Sequence, residues 1–169
     1  MTTATLNSEP LTPMASASTG EPELVLTRIL DAPRELVWKA WTEREHLIRW
    51  SAPHGFTIFY CVGEARVGGA WRTCMMSPEG KEHWVGGVYR EVVPFERLVF
   101  THLWDDNDGY PNPETLVTLS FSDEGGKTLF RFHQQGFASL ASRDGHEGGW
   151  NGSLDRLNDL LHEVQNAQA

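Results

Sequence analysis

The chain has 169 residues, a length that fits one domain with a tail better than two domains. Its 14 Lys and Arg residues against 23 Asp and Glu residues give a formal net charge of −9, which disfavours binding to nucleic acid or anionic lipid. No run of eighteen apolar residues occurs and no basic residue precedes Arg28, so we expect a cytoplasmic protein without membrane insertion or a targeting peptide.

The first 22 residues are rich in Thr, Ser, Ala and Pro and show no helical or strand periodicity. Such a segment buries too little apolar surface to offset the entropy that ordering would cost. We therefore expect a disordered N-terminal tail over residues 1–22, followed by a single domain over residues 23–166.

A strand and two short helices are predicted next. Residues 23–30 (ELVLTRIL) form a short segment rich in β-forming residues, which indicates a strand. Pro33 at a first helical position and Glu35 two residues later are start signals for a helix. Apolar residues at helical spacing continue through Trp41, and a second short helix is predicted over residues 45–50.

From Gly55 to Gln135 the pattern changes to strands that are separated by turns. Six strands are predicted, over residues 56–64, 70–76, 83–93, 97–104, 115–122 and 127–135. No helix is predicted between them, which favours an antiparallel meander over βαβ units. Gly86 and Gly87 interrupt one of these strands and indicate a bulge or a sharp bend there.

Residues 147–165 predict a long amphipathic helix. Its apolar residues recur at spacings of four and three: Trp150, Leu154, Leu157, Leu161 and Val164. They fall within an arc of roughly 80°, so the helix needs one apolar surface, and the curved sheet is the only large one predicted. Gly148, Gly149 and Gly152 are expected to allow close approach at the helix start. One stripe of side chains cannot fill the space under a curved sheet, so we expect a partly empty groove that binds a ligand.

Aromatic, Met and His residues are the candidates for lining this groove. The candidate ligand-binding residues are Trp71, Met75, Trp84, Phe100, His102, Trp104, Phe132, His133, His146, Trp150 and Leu154. A single large ring is more often packed in a core, but seven Trp residues are many for this length, and rigid rings leave gaps around a hollow. We expect His133 and His146 to approach each other at the groove mouth. Their role there is to hydrogen-bond the strand to the helix, to anchor the polar group of a ligand or to act as a general base.

No catalytic, metal-binding or phosphate-binding motif is complete in the sequence. The seven His residues include no H-E-x-x-H array, and Cys61 and Cys74 lack the spacing of zinc ligands. The triplet 126–128 (GKT) resembles the end of a phosphate-binding loop but lacks the leading glycine. We therefore predict no metal and no cofactor, and assign no catalytic residue.

Six segments occur in an order that is specific for one family as a set. They are residues 32–42 (APRELVWKAWT), 50–55 (WSAPHG), 66–72 (RVGGAWR), 87–99 (GVYREVVPFERLV), 133–137 (HQQGF) and 146–155 (HEGGWNGSLD). Together they resemble the bacterial homologues of the activator of the Hsp90 ATPase (AHSA-like proteins), within the START/Bet v-like (SRPBCC) superfamily. The resemblance implies an α+β helix-grip fold, with a seven-stranded curved antiparallel sheet around a long C-terminal helix and two short helices after the first strand.

The resemblance implies less about chemistry, because the superfamily includes carriers of hydrophobic ligands, aromatase/cyclases and hydrolases. Our first hypothesis is non-enzymatic binding of a small hydrophobic or aromatic molecule, including lipids, in the groove. The second is a cyclase/aromatase- or hydrolase-type enzyme that uses His102, His133 or His146 with a nearby Glu. The third, implied by the family name alone, is contact with an Hsp90-type chaperone and a part in the stress response.

Overall fold

The computed structural model describes residues 21–106, 109 and 112–168, so the tail expected over residues 1–22 lies almost entirely outside the described residues. The elements are β1 (Glu23–Leu30), α1 (Arg34–Thr42), α2 (Arg44–Trp50), β2 (Thr57–Gly63), β3 (Ala70–Met76), β4 (Glu82–Val93), β5 (Arg97–Trp104), β6 (Thr115–Glu124), β7 (Lys127–Gln135) and α3 (Leu140–Gln168). No helix in the described part of the chain combines the length and the apolar character needed to cross a membrane.

The strands form one seven-stranded antiparallel sheet in the order β1-β7-β6-β5-β4-β3-β2. Strands β2 to β6 each pair with the next strand in sequence, which confirms the predicted meander. Strand β1 pairs with the last strand, with Glu23 opposite Gln135 and Leu30 opposite Thr128. The predicted helix-grip fold is confirmed, since two short helices follow β1 and one long helix ends the chain.

The long helix α3 begins at Leu140, well before residue 147, where the sequence analysis places its start. The hydroxyl oxygen of Ser139 accepts a hydrogen bond from the backbone N–H of Ser142 at 3.0 Å and so caps the first turn. Arg143 Nε donates to the backbone oxygen of Glu23 at 2.9 Å and ties the same turn to β1. These contacts stabilise the start of a helix that its glycines disfavour, since each glycine costs roughly 1 kcal/mol of helix stability relative to alanine.

The expected close approach of glycines in α3 holds at one position. A Cβ added at Gly152 would lie 3.4 Å from the imidazole ring of His54, whereas one added at Gly148 would have nothing within 4 Å. The close contact between α3 and the segment after α2 is therefore centred on Gly152.

Core packing is uneven along the sheet. In the packed half, β1, β6, β7 and α1 enclose the C-terminal part of α3, and Leu154, Leu157 and Leu161 of the predicted stripe are fully buried there. The hollow half comprises β2 to β5, α2 and the N-terminal part of α3. Trp50, Tyr89, Leu98 and Phe100 of these elements still join the main core, but the second buried apolar cluster there is small: Ala52, Met75 and Val85. The side chains of the hollow half leave room that those of the packed half do not.

Strand β4 runs through Gly86 and Gly87 without a break, and its register shift falls later, between Tyr89 and Glu91. The predicted bulge therefore does not lie at the two glycines, and the alternative of a sharp bend there stays a prediction. A Cβ added at Gly87 would lie 1.9 Å from the backbone oxygen of Thr101, so the glycine is needed for the close approach of β4 and β5 at this point.

Candidate ligand-binding site

A cavity of about 1010 Å³, open to solvent, lies between the hollow half of the sheet and α3. Its volume is at the upper end of the range of about 300–1,000 Å³ that is typical of sites for drug-sized ligands. The aromatic side chains that line it come from helices, strands and a loop: Trp41, Phe56, Trp71, Tyr89, Phe100, Trp104 and Trp150. An aromatic, largely apolar lining of this size can hold a bulky hydrophobic molecule.

The structure brings seven of the eleven candidate residues together in the cavity lining. They are Trp71, Met75, Phe100, His102, Trp104, His146 and Trp150. The other four lie elsewhere. Phe132 and Leu154 are completely buried in the packed half, where Phe132 packs on the ring of Trp150 at 4.6 Å between ring centroids.

Trp84 and His133 lie on the outer face of the sheet because side chains alternate along a strand. On β4, His83 and Val85 line the cavity, so Trp84 between them points to the other side, where the guanidinium of Arg72 lies 5.0 Å from its ring centroid. On β7, His133 alternates with the buried Phe132 and Gln134 in the same way.

The expected approach of His133 and His146 was therefore wrong. The ring Nε2 of His133 is 2.5 Å from Oε1 of Glu23 across the β1–β7 pair. His146 instead lies beside His102, with 6.1 Å between the two ring centroids.

Both ring nitrogens of His146 are engaged in hydrogen bonds. The indole Nε1–H of Trp104 donates to His146 Nε2 at 3.0 Å, so Nε2 carries a lone pair. Nδ1 is 2.8 Å from the backbone oxygen of Ser142, and since a carbonyl only accepts, Nδ1 carries the proton. The ring is therefore neutral and in one tautomer, and burial lowers its pKa further from the ordinary value.

His102 is a neutral polar group enclosed by aromatic rings. Its side chain is 5 % exposed, and the ring centroids of Trp104, Trp71 and Trp150 lie 5.4, 5.9 and 5.9 Å away. Burial, and to a smaller extent the neighbouring His146, lowers the pKa of His102 to about 3. A group with this pKa is uncharged near neutral pH and is a weak base.

A chain of hydrogen bonds fixes Trp150 against the sheet. Its indole Nε1–H donates to Gln134 Oε1 at 2.9 Å, and Gln134 Nε2 donates to Thr115 Oγ1 at 2.9 Å. The Thr115 hydroxyl in turn donates to the backbone oxygen of His102 at 3.0 Å. Because Gln134 and Thr115 are buried, satisfying their polar atoms inside the protein is necessary, and the chain of bonds holds the cavity floor in one arrangement.

Besides His146 and Trp150, α3 contributes a row of small residues to the cavity lining. Ala141, Gly145, Gly149 and Ser153 recur at a spacing of four, which places them on one side of the helix. Their small side chains leave the adjacent volume empty. Of these residues, only Gly149 was predicted to have a role, in close approach at the helix start. The spacing of four is the sequence signal that could have revealed this face.

Sequence reasoning also missed lining residues that carry polar groups. Arg44 Nε donates to the backbone oxygen of Cys61 at 3.0 Å, and both residues line the cavity. Burial raises the pKa of the Cys61 thiol and raises that of Tyr89 to about 12, so neither group ionises near neutral pH. The sequence carries no local signal for the contact between Arg44 and Cys61, because α2 and β2 meet only in the tertiary structure.

Among the described lining residues, Asp106 is the one acidic side chain and no Glu is present. Of the three His residues in the enzyme hypothesis, His133 pairs with Glu23 on the outer face of the sheet, and no Glu is among the described lining residues beside His102 and His146. The described part of the chain also holds no group of three or more side chains arranged as metal ligands.

Residues 31–162 match the sequence model of one protein family, described as Activator of Hsp90 ATPase homolog 1-like protein. The chain belongs to this family. The match spans most of the chain, from the turn before α1 to the last turns of α3. A comparison with curated proteins finds no significant match.

Solved structures of similar proteins share the architecture of this Activator of Hsp90 ATPase homolog 1-like chain. A Chromobacterium violaceum protein is 30 % identical, with a TM-score of 0.76, over 82 % of this chain and 96 % of its own. A Nitrosomonas europaea protein is 27 % identical, with a TM-score of 0.72, over 87 % and 98 %. The AHSA1 protein of Silicibacter pomeroyi is 23 % identical, with a TM-score of 0.76, over 85 % and 99 %, and shows the fold alone.

Proposed function

We propose that the protein binds a small hydrophobic or aromatic molecule in the cavity between the hollow half of the sheet and α3. The observation that carries the proposal is the cavity of about 1010 Å³, which is lined by aromatic rings from the sheet and the helices and by a row of small residues on α3. Apolar surface that faces an open cavity remains hydrated until a ligand covers it, so its burial by an apolar ligand supplies the free energy of binding. The fold commonly binds hydrophobic ligands, which supports the same conclusion.

Two observations favour binding over turnover. A general base must reach the proton that it removes, but both nitrogens of His146 are already hydrogen-bonded within the protein. His102 has a pKa of about 3, far below the value near 7 that suits a base at neutral pH. The family name refers to an Hsp90 ATPase, and contact of this chain with such a chaperone stays a prediction.

The test uses two glycines of α3 that differ in the face they occupy. Gly145 lines the cavity, whereas Gly148 is not part of the lining. Both glycines are exposed, and a Cβ at either position would have nothing within 4 Å. Gly145→Leu and Gly148→Leu therefore raise helix propensity by similar amounts, roughly 1 kcal/mol, but only the first places a side chain in the cavity.

The probe is N-phenyl-1-naphthylamine, a neutral aromatic molecule whose fluorescence rises in apolar surroundings. We expect saturable binding at one site per chain, about ten-fold weaker in Gly145→Leu and unchanged in Gly148→Leu. Equal affinities in the two variants, or fluorescence that does not saturate in the wild-type protein, would show that the cavity is not the binding site.

A further inference from the structure

Arg44 differs from most arginines of the chain in having no acidic partner. Seven arginines lie within 4.0 Å of a carboxylate: Arg28, Arg49, Arg66, Arg72, Arg90, Arg97 and Arg143. Arg44 has no carboxylate within that distance among the described residues, and it is an arginine that lines the cavity. In a chain with a net charge of −9, an unpaired cation at the rim of an apolar cavity is available to an acidic ligand.

The acidic residues nearest to Arg44 in sequence do not neutralise it. Glu43 lies 3.7 Å from Nε2 of His46 rather than against Arg44. The acidic lining residue, Asp106, follows β5, whereas Arg44 is held by β2, and no ion pair within 4.0 Å joins the two residues. Cys61, whose carbonyl holds Arg44, is connected through paired residues on β3 and β4 to Trp104 on β5, which is three strand spacings, or roughly 14 Å, along the sheet.

The position of the Arg44 guanidinium suits an anionic group at the end of an apolar ligand. Its Nε is held by the Cys61 carbonyl, so the two terminal nitrogens remain available for a carboxylate. The side chain is exposed, so a bound anion at this rim keeps part of its hydration and avoids the large cost of burying a charge. Tyr89, which also lines the cavity, supplies a hydroxyl that stays protonated, because burial raises its pKa to about 12.

We propose that the ligand of this cavity is an amphipathic carboxylic acid, with its carboxylate on Arg44 and its aromatic or long aliphatic body against the rings of the hollow half. This inference rests on the proposed function, since it identifies the chemical class of the molecule that the cavity takes. A cavity of about 1010 Å³ has room for a polycyclic or long-chain body in addition to the carboxylate.

The experiment compares two probes of the same body, 1-pyrenebutyric acid and 1-pyrenebutanol, by fluorescence titration of the wild-type protein and three variants. Arg44→Gln removes the charge, and Arg44→Lys keeps the charge but loses the planar guanidinium. Arg49→Gln is the matched control, because Arg49 lies on the same helix and pairs with Glu163 at 2.8 Å outside the cavity.

We expect the wild-type protein to bind the acid about ten-fold more tightly than the alcohol, as a hydrogen-bonded charge pair at a partly exposed site would give. The ratio falls to about one in Arg44→Gln, is partly retained in Arg44→Lys and is unchanged in Arg49→Gln. In the wild-type protein it also falls between 0.02 and 0.5 M salt, since exposed charges are screened.

Equal affinities of acid and alcohol in the wild-type protein would overturn this inference and leave the proposed function standing. A preference for the acid that survives in Arg44→Gln would also overturn it. If neither probe bound the wild-type protein, both the proposed function and this inference would fail for ligands of this size.

Discussion

The indole nitrogen of Trp104 and Nε2 of His146 lie 3.0 Å apart, joined by a hydrogen bond that connects β5 to α3 across the cavity. His146 also donates to the backbone oxygen of Ser142 one turn earlier in the helix. The ring therefore cannot rotate without losing a bond, and the separation of sheet and helix at this end of the cavity is fixed by these contacts.

Removing this hydrogen bond while keeping an aromatic ring should cost stability. In Trp104→Phe, Nε2 of the half-buried His146 is left without its donor, and we expect the free energy of unfolding to fall by about 1 kcal/mol in urea titrations at pH 7.5. Trp84→Phe is the control, because the Trp84 indole donates to Glu82 on the exposed outer face. Equal losses in the two variants would contradict a special role for the bond.

Stability should fall as the pH drops below about 6.5. The folded-state pKa of His102 is lowered to about 3, so the folded protein keeps this ring neutral while the unfolded chain takes up a proton at an ordinary pKa near 6.5. The contribution of the neutral His102 ring to the free energy of unfolding is complete above pH 6.5 and is lost as the pH falls towards 3. The loss is about 2 kcal/mol at pH 5, and His146, whose pKa is lowered too, adds in the same direction.

Urea titrations at pH 7.5 and pH 5.0 measure this dependence. In His102→Gln the difference between the two pH values should shrink by about 2 kcal/mol, because the titrating group is gone. In the control His162→Gln, which alters an exposed side chain near Asp31, the stability difference between pH 7.5 and pH 5.0 should be close to that of the wild-type protein. An unchanged pH dependence in His102→Gln would count against the buried neutral imidazole.

Two glycine-to-alanine substitutions should have opposite effects. Gly87→Ala forces a methyl group to 1.9 Å from the Thr101 carbonyl oxygen, and we expect a loss of about 3 kcal/mol or more, or failure to fold. Gly145→Ala adds a methyl group in open space within a helix and should raise stability by about 1 kcal/mol. Thermal unfolding of both variants gives the comparison, and a mild effect of Gly87→Ala would argue against the close approach of β4 and β5.

Arg156 of α3 holds the segment after α2, part of which lines the cavity. Its Nη1 donates at 2.8, 3.0 and 3.1 Å to the backbone oxygens of Ala52, Pro53 and Phe56. In Arg156→Gln we expect faster amide hydrogen exchange in residues 51–56 and a stability loss of about 1–2 kcal/mol. Arg97→Gln, which breaks an exposed pair with Glu91, should leave exchange in that segment unchanged. Unchanged exchange in Arg156→Gln would show that other contacts hold it.

The strands were predictable because their signals are local. Alternation of apolar residues and turn residues located β1, β3, β5 and β7 at the residues that the structure gives them. The start of α3 was not predictable in this way, since the glycines lower helix propensity and the contacts that compensate, such as Arg143 to Glu23, are distant in sequence.

The site was predictable in its composition but not in its detail. Trp84 was wrongly predicted to line the cavity, because the face on which a β4 side chain lies depends on the pairing of β4 with β3. That pairing puts Val85, not Trp84, opposite the lining residue Thr73. Arg44 was missed because the search followed aromatic and His residues. Its approach to Cys61 joins a helix to a strand and leaves no spacing pattern in the sequence.

The uneven packing of the sheet leaves part of the cavity lining outside the core that keeps the chain folded. Leu157 and Phe130 belong to the main core, whereas Ala141, Gly145 and Gly149 of the cavity lining do not, so a change of size or polarity at these three positions leaves the main core intact. The cavity can consequently acquire a new ligand specificity through a few substitutions at these positions, with the fold unaltered.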